Sequence, residues 1–412
     1  MAAFRLFLLI LALGIIAVVY EWSILDKLII ALVALLAVAW LLSRGSLNRL
    51  GLRRTLSTAR VRVGDDFHEE ITLTNHSRLP RLWIEVQDQS TLANHNAGAV
   101  VSLRGKGSST WHTQTRAVRR GTYRLGPFTV HAGDPFGLFQ RQRLIPVSHE
   151  LVVYPPAIDV SRIRLPLATM TGGSAHHPHV VVSSPSVASL RDYQPGDPLN
   201  RISWTATARR GQMMVKELDP DPTADLWIIL DLSERGQFDL DPPRTTGVND
   251  GDVVRYLETT VEYIVAIGGS LAERALNDGR KVGMVINRAM PVRLDADNTQ
   301  RQWFRIFEVL ANAQAFGNRS LVEALSAESR RFNRTTGVVV VTSDPEPDWT
   351  IAARTLVQRR IPVSAVVVDT GSAGEDDVQP LIEALAGAHV DVTRYPAHTA
   401  TRGYASAGPQ AT

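Results

Sequence analysis

Two apolar runs in the first 42 residues constrain this chain more than any other feature. Residues 6–20 and 28–42 contain no charged side chain. Each run is shorter than the ~20 residues that cross a bilayer comfortably, but apolar flanking residues lengthen both. Aromatic residues that favour the membrane interface stand near their ends, at Tyr20, Trp22 and Trp40. The pattern predicts a transmembrane helical hairpin over residues 1–45; a cleaved signal peptide followed by one stop-transfer helix is the alternative.

The charges that follow the second run predict the orientation of this hairpin. Before the next acid, Asp65, the chain carries six arginines: Arg44, Arg49, Arg53, Arg54, Arg60 and Arg62. The positive-inside rule places both ends of the hairpin in the cytoplasm. The predicted location is therefore the inner (plasma) membrane, multi-pass, with cytoplasmic soluble domains. The same arginines either bind anionic headgroups or only set the topology.

Composition argues against several kinds of function. The chain has 44 Lys and Arg against 41 Asp and Glu, so it lacks the basic excess typical of nucleic-acid binding. It has no cysteine, which excludes disulfides, thiol nucleophiles and cysteine metal sites. No phosphate-binding loop of the Walker type occurs, so we do not expect the chain itself to be an ATPase.

The hydrophobic periodicity predicts an α/β plus β fold. Residues 55–155 alternate in short strands separated by turns, which indicates a β-sandwich-like domain. Residues 156–188 are small and polar and are predicted to be a linker. In residues 189–396, continuous apolar strands alternate with amphipathic helices, as in a doubly wound sheet. Residues 397–412 have the composition of a disordered tail.

A segment dense in charges and turn residues, residues 189–217, opens the α/β domain. We expect a helix over residues 199–210 that ends at Gly211, since glycine accepts the left-handed conformation there. Trp204 is predicted to be buried against the sheet, and residues 212–220 to form an edge strand. The segment is a structural latch, a docking surface or a catalytic loop. It contains no His or Cys to serve as base or nucleophile.

Several short motifs resemble a known family. They are Arg120-Gly121 with Tyr123, Asp134-Pro135-Phe136-Gly137-Leu138-Phe139, Tyr154-Pro155, Arg191-Asp192-Tyr193, Pro195-Gly196-Asp197, Arg201-Ile202 with Trp204, Ala208-Arg209 with Gly211, Val215 with Glu217, and Leu230-Asp231-Leu232-Ser233. Over nearly its whole length the chain resembles the membrane-bound family known as domain of unknown function 58. That resemblance implies a von Willebrand factor A-like fold at the carboxyl-terminal end, and a gene neighbourhood shared with MoxR-type AAA+ ATPases.

The resemblance implies a non-enzymatic, membrane-anchored adaptor. It would bind a MoxR-type AAA+ ATPase, client proteins or both, during assembly or remodelling of envelope complexes. One alternative is a metal-dependent enzyme or ligand-binding domain with a degenerate site at Asp231 and Asp344, and another is a passive envelope scaffold. The candidate partner-binding residues are Arg191, Asp192, Tyr193, Gly196, Asp197, Arg201, Trp204 and Arg209.

Von Willebrand factor A domains hold a divalent ion at the carboxyl end of the sheet, and the resemblance implies that this site is degenerate here. Asp231 and Ser233 match the start of the ligand motif, and Asp344 is a candidate for its last acid. Arginines stand at two other ligand positions, Arg235 and Arg319. Since a guanidinium repels cations, we expect no cofactor, and we expect one of these arginines to pair with Asp231 or Asp344. Retained Mg²⁺ or Ca²⁺ is the alternative.

Overall fold

The computed structural model describes residues 2–20, 23–134, 136–166, 187–193, 202–218, 225–240, 257–369, 378–397 and 400–403. The chain divides into two compact units, Met1–Tyr154 and Pro155–Thr412. Two prolines follow Tyr154 at this division. Because proline has no amide hydrogen to donate to a ladder, the last strand of the first unit ends there.

Two apolar helices begin the first unit: α1, Ala2–Tyr20, and α2, Ser23–Gly45. Among the described residues, only Ile24–Gly45 is long and apolar enough to cross a membrane, and the apolar part of α1, Phe4–Ala17, is shorter. Large side chains of α2 are exposed, Ile30 by 68% for example, so α2 is not the core helix of a soluble domain. Length and composition fit either a membrane anchor or a signal sequence, and they do not support a second span.

Ten strands complete the described part of the first unit. They are β1 Leu50–Leu56, β2 Arg60–Arg62, β3 Asp66–Asn75, β4 Arg81–Asp88, β5 Ala99–Leu103, β6 Ser108–Arg116, β7 Gly121–Leu125, β8 Phe128–Gly133, β9 Gln140–Ile145 and β10 His149–Tyr154. They form three sheets, with the orders β1–β3–β6, β2–β10–β7 and β5–β4–β8–β9. One apolar core joins the first and third sheets, with Ile71 and Leu73 on one side and Val86, Phe128 and Val130 on the other. This is the arrangement of a β-sandwich.

The second unit alternates strands and helices, as the sequence predicts. Its strands are β11 Val187–Asp192, β12 Met214–Leu218, β13 Asp225–Asp231, β14 Phe238–Leu240, β15 Val282–Asn287, β16 Val292–Asp297, β17 Thr336–Thr342, β18 Val363–Asp369, β19 Asp391–Pro396 and β20 Ala400–Gly403. Its helices are α3 Trp204–Arg210, α4 Thr260–Asn277, α5 Gln300–Ala311, α6 Leu321–Glu328, α7 Thr350–Gln358 and α8 Gln379–Gly387.

Six of these strands form one sheet in the order β16–β15–β13–β17–β18–β19, in which β16 alone is antiparallel to its neighbour. Successive residues of a strand face opposite sides, so Leu230 and Trp227 contact different layers. Helix α4 covers the Leu230 side, where a Cβ at Gly268 would lie 2.6 Å from a Leu230 methyl carbon. Helices α6, α7 and α8 cover the side of Trp227. The mixed α/β architecture is therefore confirmed.

Two segment boundaries differ from the sequence predictions. The start of the predicted linker is fixed to the second unit, because Arg274 Nη1 donates hydrogen bonds to Val160 O and Ile163 O at 2.9 and 3.0 Å. Residues 167–186 lie outside the described residues. In the predicted tail, β20 pairs with β14, so Ala400–Gly403 are not disordered. Both differences arise from pairing with distant backbone or side chains, which local composition does not reveal.

Candidate functional site

The ends of three neighbouring strands meet around one buried carboxylate. Asp231 is the last residue of β13 and lies opposite Asn287, the last residue of β15. On the other side of β13, Thr342 ends β17. The carboxyl ends of parallel strands share one edge of a sheet, and ligands of open α/β sheets bind at that edge. Only 1% of Asp231 is exposed.

Neutral donors surround the Asp231 carboxylate. Its Oδ1 accepts hydrogen bonds from Ser233 Oγ at 2.8 Å and Asn287 Nδ2 at 3.0 Å. Its Oδ2 accepts one from Thr342 Oγ1 at 2.9 Å. Burial raises the pKa of Asp231 to about 6, although the hydrogen bonds act in the opposite direction. At neutral pH this buried carboxylate is thus mostly ionised, and among the described residues no cation is hydrogen-bonded to it. Carboxylates with such perturbed pKa values are enriched at functional sites.

A second acid, Asp344, lies on the loop after β17. Its backbone N–H donates a hydrogen bond to Thr342 Oγ1 at 3.0 Å. Gly236 packs against it at a φ of 66°, and a Cβ there would lie 2.6 Å from Asp344 Cα. Burial raises the pKa of Asp344, and the nearby charges of Asp348 and Glu346 add to that effect. The structure therefore places the three predicted metal-site residues, Asp231, Ser233 and Asp344, at one edge of the sheet.

The expected pairing of an arginine with these acids is not seen as a direct ion pair, although the charge of Arg235 acts to lower the pKa of Asp344, against the larger effect of burial. In the described part of the chain, neither Arg235 nor Arg319 forms an ion pair with Asp231 or Asp344. The Arg235 side chain is exposed. Arg319 contributes its backbone instead, since its carbonyl accepts a hydrogen bond from Asn287 Nδ2 at 2.9 Å. Sequence reasoning missed Asn287, although a polar residue that ends a buried apolar strand was a usable signal.

Replacing Asp231 with asparagine is expected to stabilise the protein at pH 8 by about 1–2 kcal/mol. The rise of the Asp231 pKa from 3.8 to about 6 corresponds to about 3 kcal/mol, and weaker hydrogen bonds in the variant offset part of it. Because folding raises this pKa, the carboxylate costs stability above pH 6, and the cost disappears as pH falls below 3.8. Urea denaturation of the full-length protein in detergent, at pH 8 and at pH 4, measures the difference.

The matched control is Asp369→Asn, at the end of β18, because Asp369 pairs with Arg394. That variant should be less stable than the wild type at pH 8, or unchanged. If Asp231→Asn is also less stable there, Asp231 has an ordinary structural role.

The charged segment at residues 189–217 differs from its prediction in three ways. Helix α3 begins at Trp204 instead of residue 199, because Ile202 pairs with Val215 and Ser203 N–H donates to Met214 O at 2.8 Å. Strand β12 pairs with β11 in a sheet of two strands and is not an edge of the main sheet. Trp204 is 67% exposed, so its predicted burial is wrong. Gly211 ends the helix at a φ of 71°, as expected.

The described candidate partner-binding residues lie on one small β–β–α substructure. Asp192 is exposed, and Tyr193 is half-buried with its N–H bonded to Met213 O at 2.9 Å. Arg191 lies on β11 opposite Val215. Arg209 is exposed on α3. Three further predicted residues lie outside the described residues: Gly196, Asp197 and Arg201.

A buried ion cluster that sequence reasoning missed lies inside the first unit. It consists of Arg54, Glu69, Asp88 and His95, whose side chains are fully buried. Arg54 Nε is 2.6 Å from Glu69 Oε2, and Arg54 Nη2 is 3.3 Å from Asp88 Oδ2. His95 Nε2 lies 3.0 Å from Glu69 Oε1 and 3.1 Å from Asp88 Oδ2. Two positive charges thus face two negative ones in the interior.

The pKa values of this cluster favour its charged form. Burial opposes protonation of His95, but hydrogen bonds to Asp88 and Glu69 raise its pKa to about 9. Burial likewise opposes ionisation of Asp88, but hydrogen bonds from His95 and Ser90 lower its pKa to about 2. Glu69, Asp88 and His95 offer ligand atoms within 4.8 Å of one another, as in a metal site. Because the Arg54 guanidinium contacts both carboxylates and His95 is protonated, the cluster is better described as an ion-pair network.

Comparison with known proteins finds one family model that matches part of the chain. Residues 189–374 match the family model described as protein of unknown function DUF58. These residues are called the DUF58-matching segment, or DUF58 segment, below. The match begins at the charged segment described above and includes Asp231 and Asp344, whereas the motifs between Arg120 and Pro155 lie outside it.

Curated proteins similar to this chain include two bacterial proteins whose names call them uncharacterized. It is 24% identical over 256 residues to uncharacterized protein YeaD of Bacillus subtilis, and the match covers 60% of this chain and 58% of the relative. The chain thus spans little more than half of that protein. It is also 24% identical over 250 residues to uncharacterized protein Rv1480 of Mycobacterium tuberculosis, covering 56% of this chain and 74% of the relative.

Solved structures that resemble the chain do so weakly. The CARDB domain of PF1109 from Pyrococcus furiosus has a TM-score of 0.20 and 15% identity, and covers 26% of this chain and 94% of that chain. A β-glucosidase from Listeria innocua has a TM-score of 0.17 and 16% identity, and covers 25% of this chain and 16% of that chain. Similarity at this level supports no inference about fold or function.

Proposed function

We propose that this protein is a non-enzymatic, membrane-anchored adaptor. It binds a MoxR-type AAA+ ATPase, client proteins or both, and assists the assembly or remodelling of envelope complexes. In this proposal α2 is the anchor, α1 is a second span of a helical hairpin in the inner (plasma) membrane, and the soluble parts are cytoplasmic. The second unit is von Willebrand factor A-like, which its mainly parallel sheet with Asp231 and Ser233 at the carboxyl edge supports.

The exposure of helix α3 carries the docking proposal. Helix α3 lies in the DUF58 segment and has no buried residue. Trp204 on α3 is 67% exposed, and nearby Met213 is 48% exposed. Arg209 and Arg210 are exposed in the last turn of the same helix and add two positive charges there. Tryptophan and arginine are the residues most enriched at the energetic centres of protein interfaces, so this surface suits a protein partner better than a latch, which would bury them.

Replacing Trp204 with serine together with Arg209 with glutamate is expected to abolish capture of the partner ATPase. The surface would lose its apolar anchor, and the sign of one charge would reverse. Because both side chains are exposed, the variant should keep the melting temperature of the wild type within a few degrees. The measurement is ATP-dependent co-purification of the tagged full-length protein from its own membrane.

A matched double variant, Ile351→Ser with Arg354→Glu, controls for general changes in surface polarity. Ile351 is 74% exposed and Arg354 is exposed, both on helix α7. This control should still capture the ATPase. Equal capture by both variants would remove α3 as the docking site. If the wild type captures no ATPase at all, a passive envelope scaffold becomes the better description.

Unsatisfied polar atoms near Asp231 favour a ligand-binding function as the second candidate. Within the described residues, Asn287 Oδ1 and Ser343 Oγ are buried and have no hydrogen-bond partner. Such oxygens suit Mg²⁺ or Ca²⁺, but protein donors already bind both oxygens of Asp231. Melting wild type and Asp231→Asn with and without Mg²⁺ separates the candidates. Stabilisation by Mg²⁺ in the wild type alone would favour this second function.

A further inference from the structure

An exposed apolar loop stands out on the β-sandwich of the first unit. Leu79, Leu82 and Trp83 are 62%, 62% and 72% exposed. The pairing of β4 with β5 shifts register between Arg81 and Ile84. This irregularity interrupts the alternation of the strand, and it leaves Leu82 and Trp83 exposed side by side. Trp83 has a φ of 56°, a conformation that bulky residues avoid and that is retained mainly where function requires it.

This loop is firmly held, so its exposure is a property of the fold. Asn75 is fully buried, and its Nδ2 donates hydrogen bonds to Leu79 O at 2.9 Å and Arg104 O at 3.1 Å. Leu79 N–H donates to Ser77 Oγ at 3.1 Å. The backbone of Lys106 donates to Ser77 O at 2.7 Å. Residues 75–83 and 103–107 therefore form one connected surface.

The loop lies beside the end of the candidate membrane helix. The Arg81 side chain lies close to Gly45, the last residue of α2. If Gly45 carried a Cβ, that atom would be 3.7 Å from a guanidinium nitrogen of Arg81. His76 N–H donates to Arg49 O at 2.9 Å, which ties the loop to the chain leaving α2. Directly before Gly45, the Arg44 guanidinium stacks over the Trp40 ring at 4.4 Å, an arrangement suited to the membrane interface.

The charges around the loop suit an anionic lipid surface. Arg78, Arg104 and Lys106 are exposed on it, and Arg81 is half-buried. Residues 75–83 and 103–107 contain no acidic residue. Leucine and tryptophan partition into the interfacial layer of a bilayer, while lysine and arginine bind its phosphates. The surface has both components, and it lies at the depth where α2 would leave the bilayer.

We propose that residues 79–83 form a second membrane contact, inserted into the interfacial layer of an anionic bilayer, which holds the β-sandwich against the membrane. This contact rests on the proposed role of α2 as the anchor. With two points of attachment, the first unit would have a fixed orientation on the bilayer instead of swinging about the end of one helix.

Single cysteines test this contact, because the chain has no cysteine of its own. The full-length Leu82→Cys, Leu79→Cys, Val33→Cys and His68→Cys variants are labelled with an environment-sensitive fluorophore. They are then reconstituted in vesicles of phosphatidylcholine and phosphatidylglycerol. Position 33 reports on α2, where Val33 is 49% exposed. Position 68 is the control, exposed on β3 and seven residues, or about 23 Å, from Asn75.

At positions 82, 79 and 33 we expect the fluorophore emission to shift to shorter wavelength on reconstitution, and spin-labelled lipid to quench most of it. At position 68 we expect neither change. Quenching at 33 but not at 82 and 79 overturns the second contact while leaving the anchor intact. Absence of quenching at 33, 79 and 82 overturns both the anchor and the contact. Equal quenching at positions 68 and 82 also overturns the second contact, because the fluorophore itself would then be binding lipid.

Discussion

Arg54→Met is expected to lower the free energy of unfolding of the first unit by about 3–5 kcal/mol, because removal of one partner leaves other charges buried and uncompensated. Arg54 contacts both Glu69 and Asp88 and stacks over the Phe128 ring at 4.8 Å. Methionine retains much of the length and apolar contact of the side chain but removes the charge and the donors. Urea denaturation of the full-length protein in detergent at pH 7, followed by tryptophan fluorescence, measures the change.

The matched control for this variant is Arg116→Met on strand β6. Arg116 pairs with Asp66 at 2.9 Å, but its side chain is 49% exposed. Water screens such a pair, so its loss should cost less than about 1 kcal/mol. A similarly small change for Arg54→Met would mean that Glu69 and Asp88 find other compensation, and the account of the ion cluster would be wrong.

Alkaline pH is expected to destabilise the first unit through His95, by about 2–3 kcal/mol at most. The pKa of His95 rises from 6.5 in the unfolded chain to about 9 in the folded one. Its contribution is therefore fully present below pH 6.5, and it is lost as pH rises through 9. Above that pH a neutral His95 Nε2 can accept a hydrogen bond from Arg54 Nη2, 3.0 Å away, which limits the loss.

The comparison that isolates this effect is wild type against His95→Gln, with urea denaturation from pH 6 to pH 10. The stability difference between the two proteins should be largest near pH 6 and should shrink through pH 9. At acid pH the stability of the first unit depends on Asp88, whose pKa is lowered from 3.8 to about 2 by folding. Its contribution to the free energy of unfolding is therefore lost as pH falls from 3.8 through 2. A difference that stays constant from pH 6 to pH 10 would show that His95 is not protonated in the folded protein.

A usable signal for the ion cluster was present in strand β3. Phe67, Glu69, Ile71 and Leu73 are in phase and all buried, so the charged Glu69 occupies an inward position of an otherwise apolar face. Such a position predicts a buried partner for the charge. It does not say which partner, since Arg54, Asp88 and His95 lie 15, 19 and 26 residues away along the chain.

The sequence by itself determined what depends on local periodicity. Alternation predicted the strands between residues 55 and 155, although β1 begins earlier, at Leu50. Continuous apolar runs predicted buried strands such as β13 and β17, and Gly211 marked a helix end. These features depend on contacts between near neighbours and on the average burial of an element. Both can be read from the spacing of apolar residues along the sequence.

Only the tertiary structure decided which distant side chains meet. It placed Asn287 and Thr342 around Asp231, kept Arg235 and Arg319 out of ion pairs with the acids, and left Trp204 exposed. It also brought the loop at residues 79–83 beside the end of α2. Each outcome depends on how strands register and how helices pack. Those are set by the sum of many long-range contacts, which no single motif encodes.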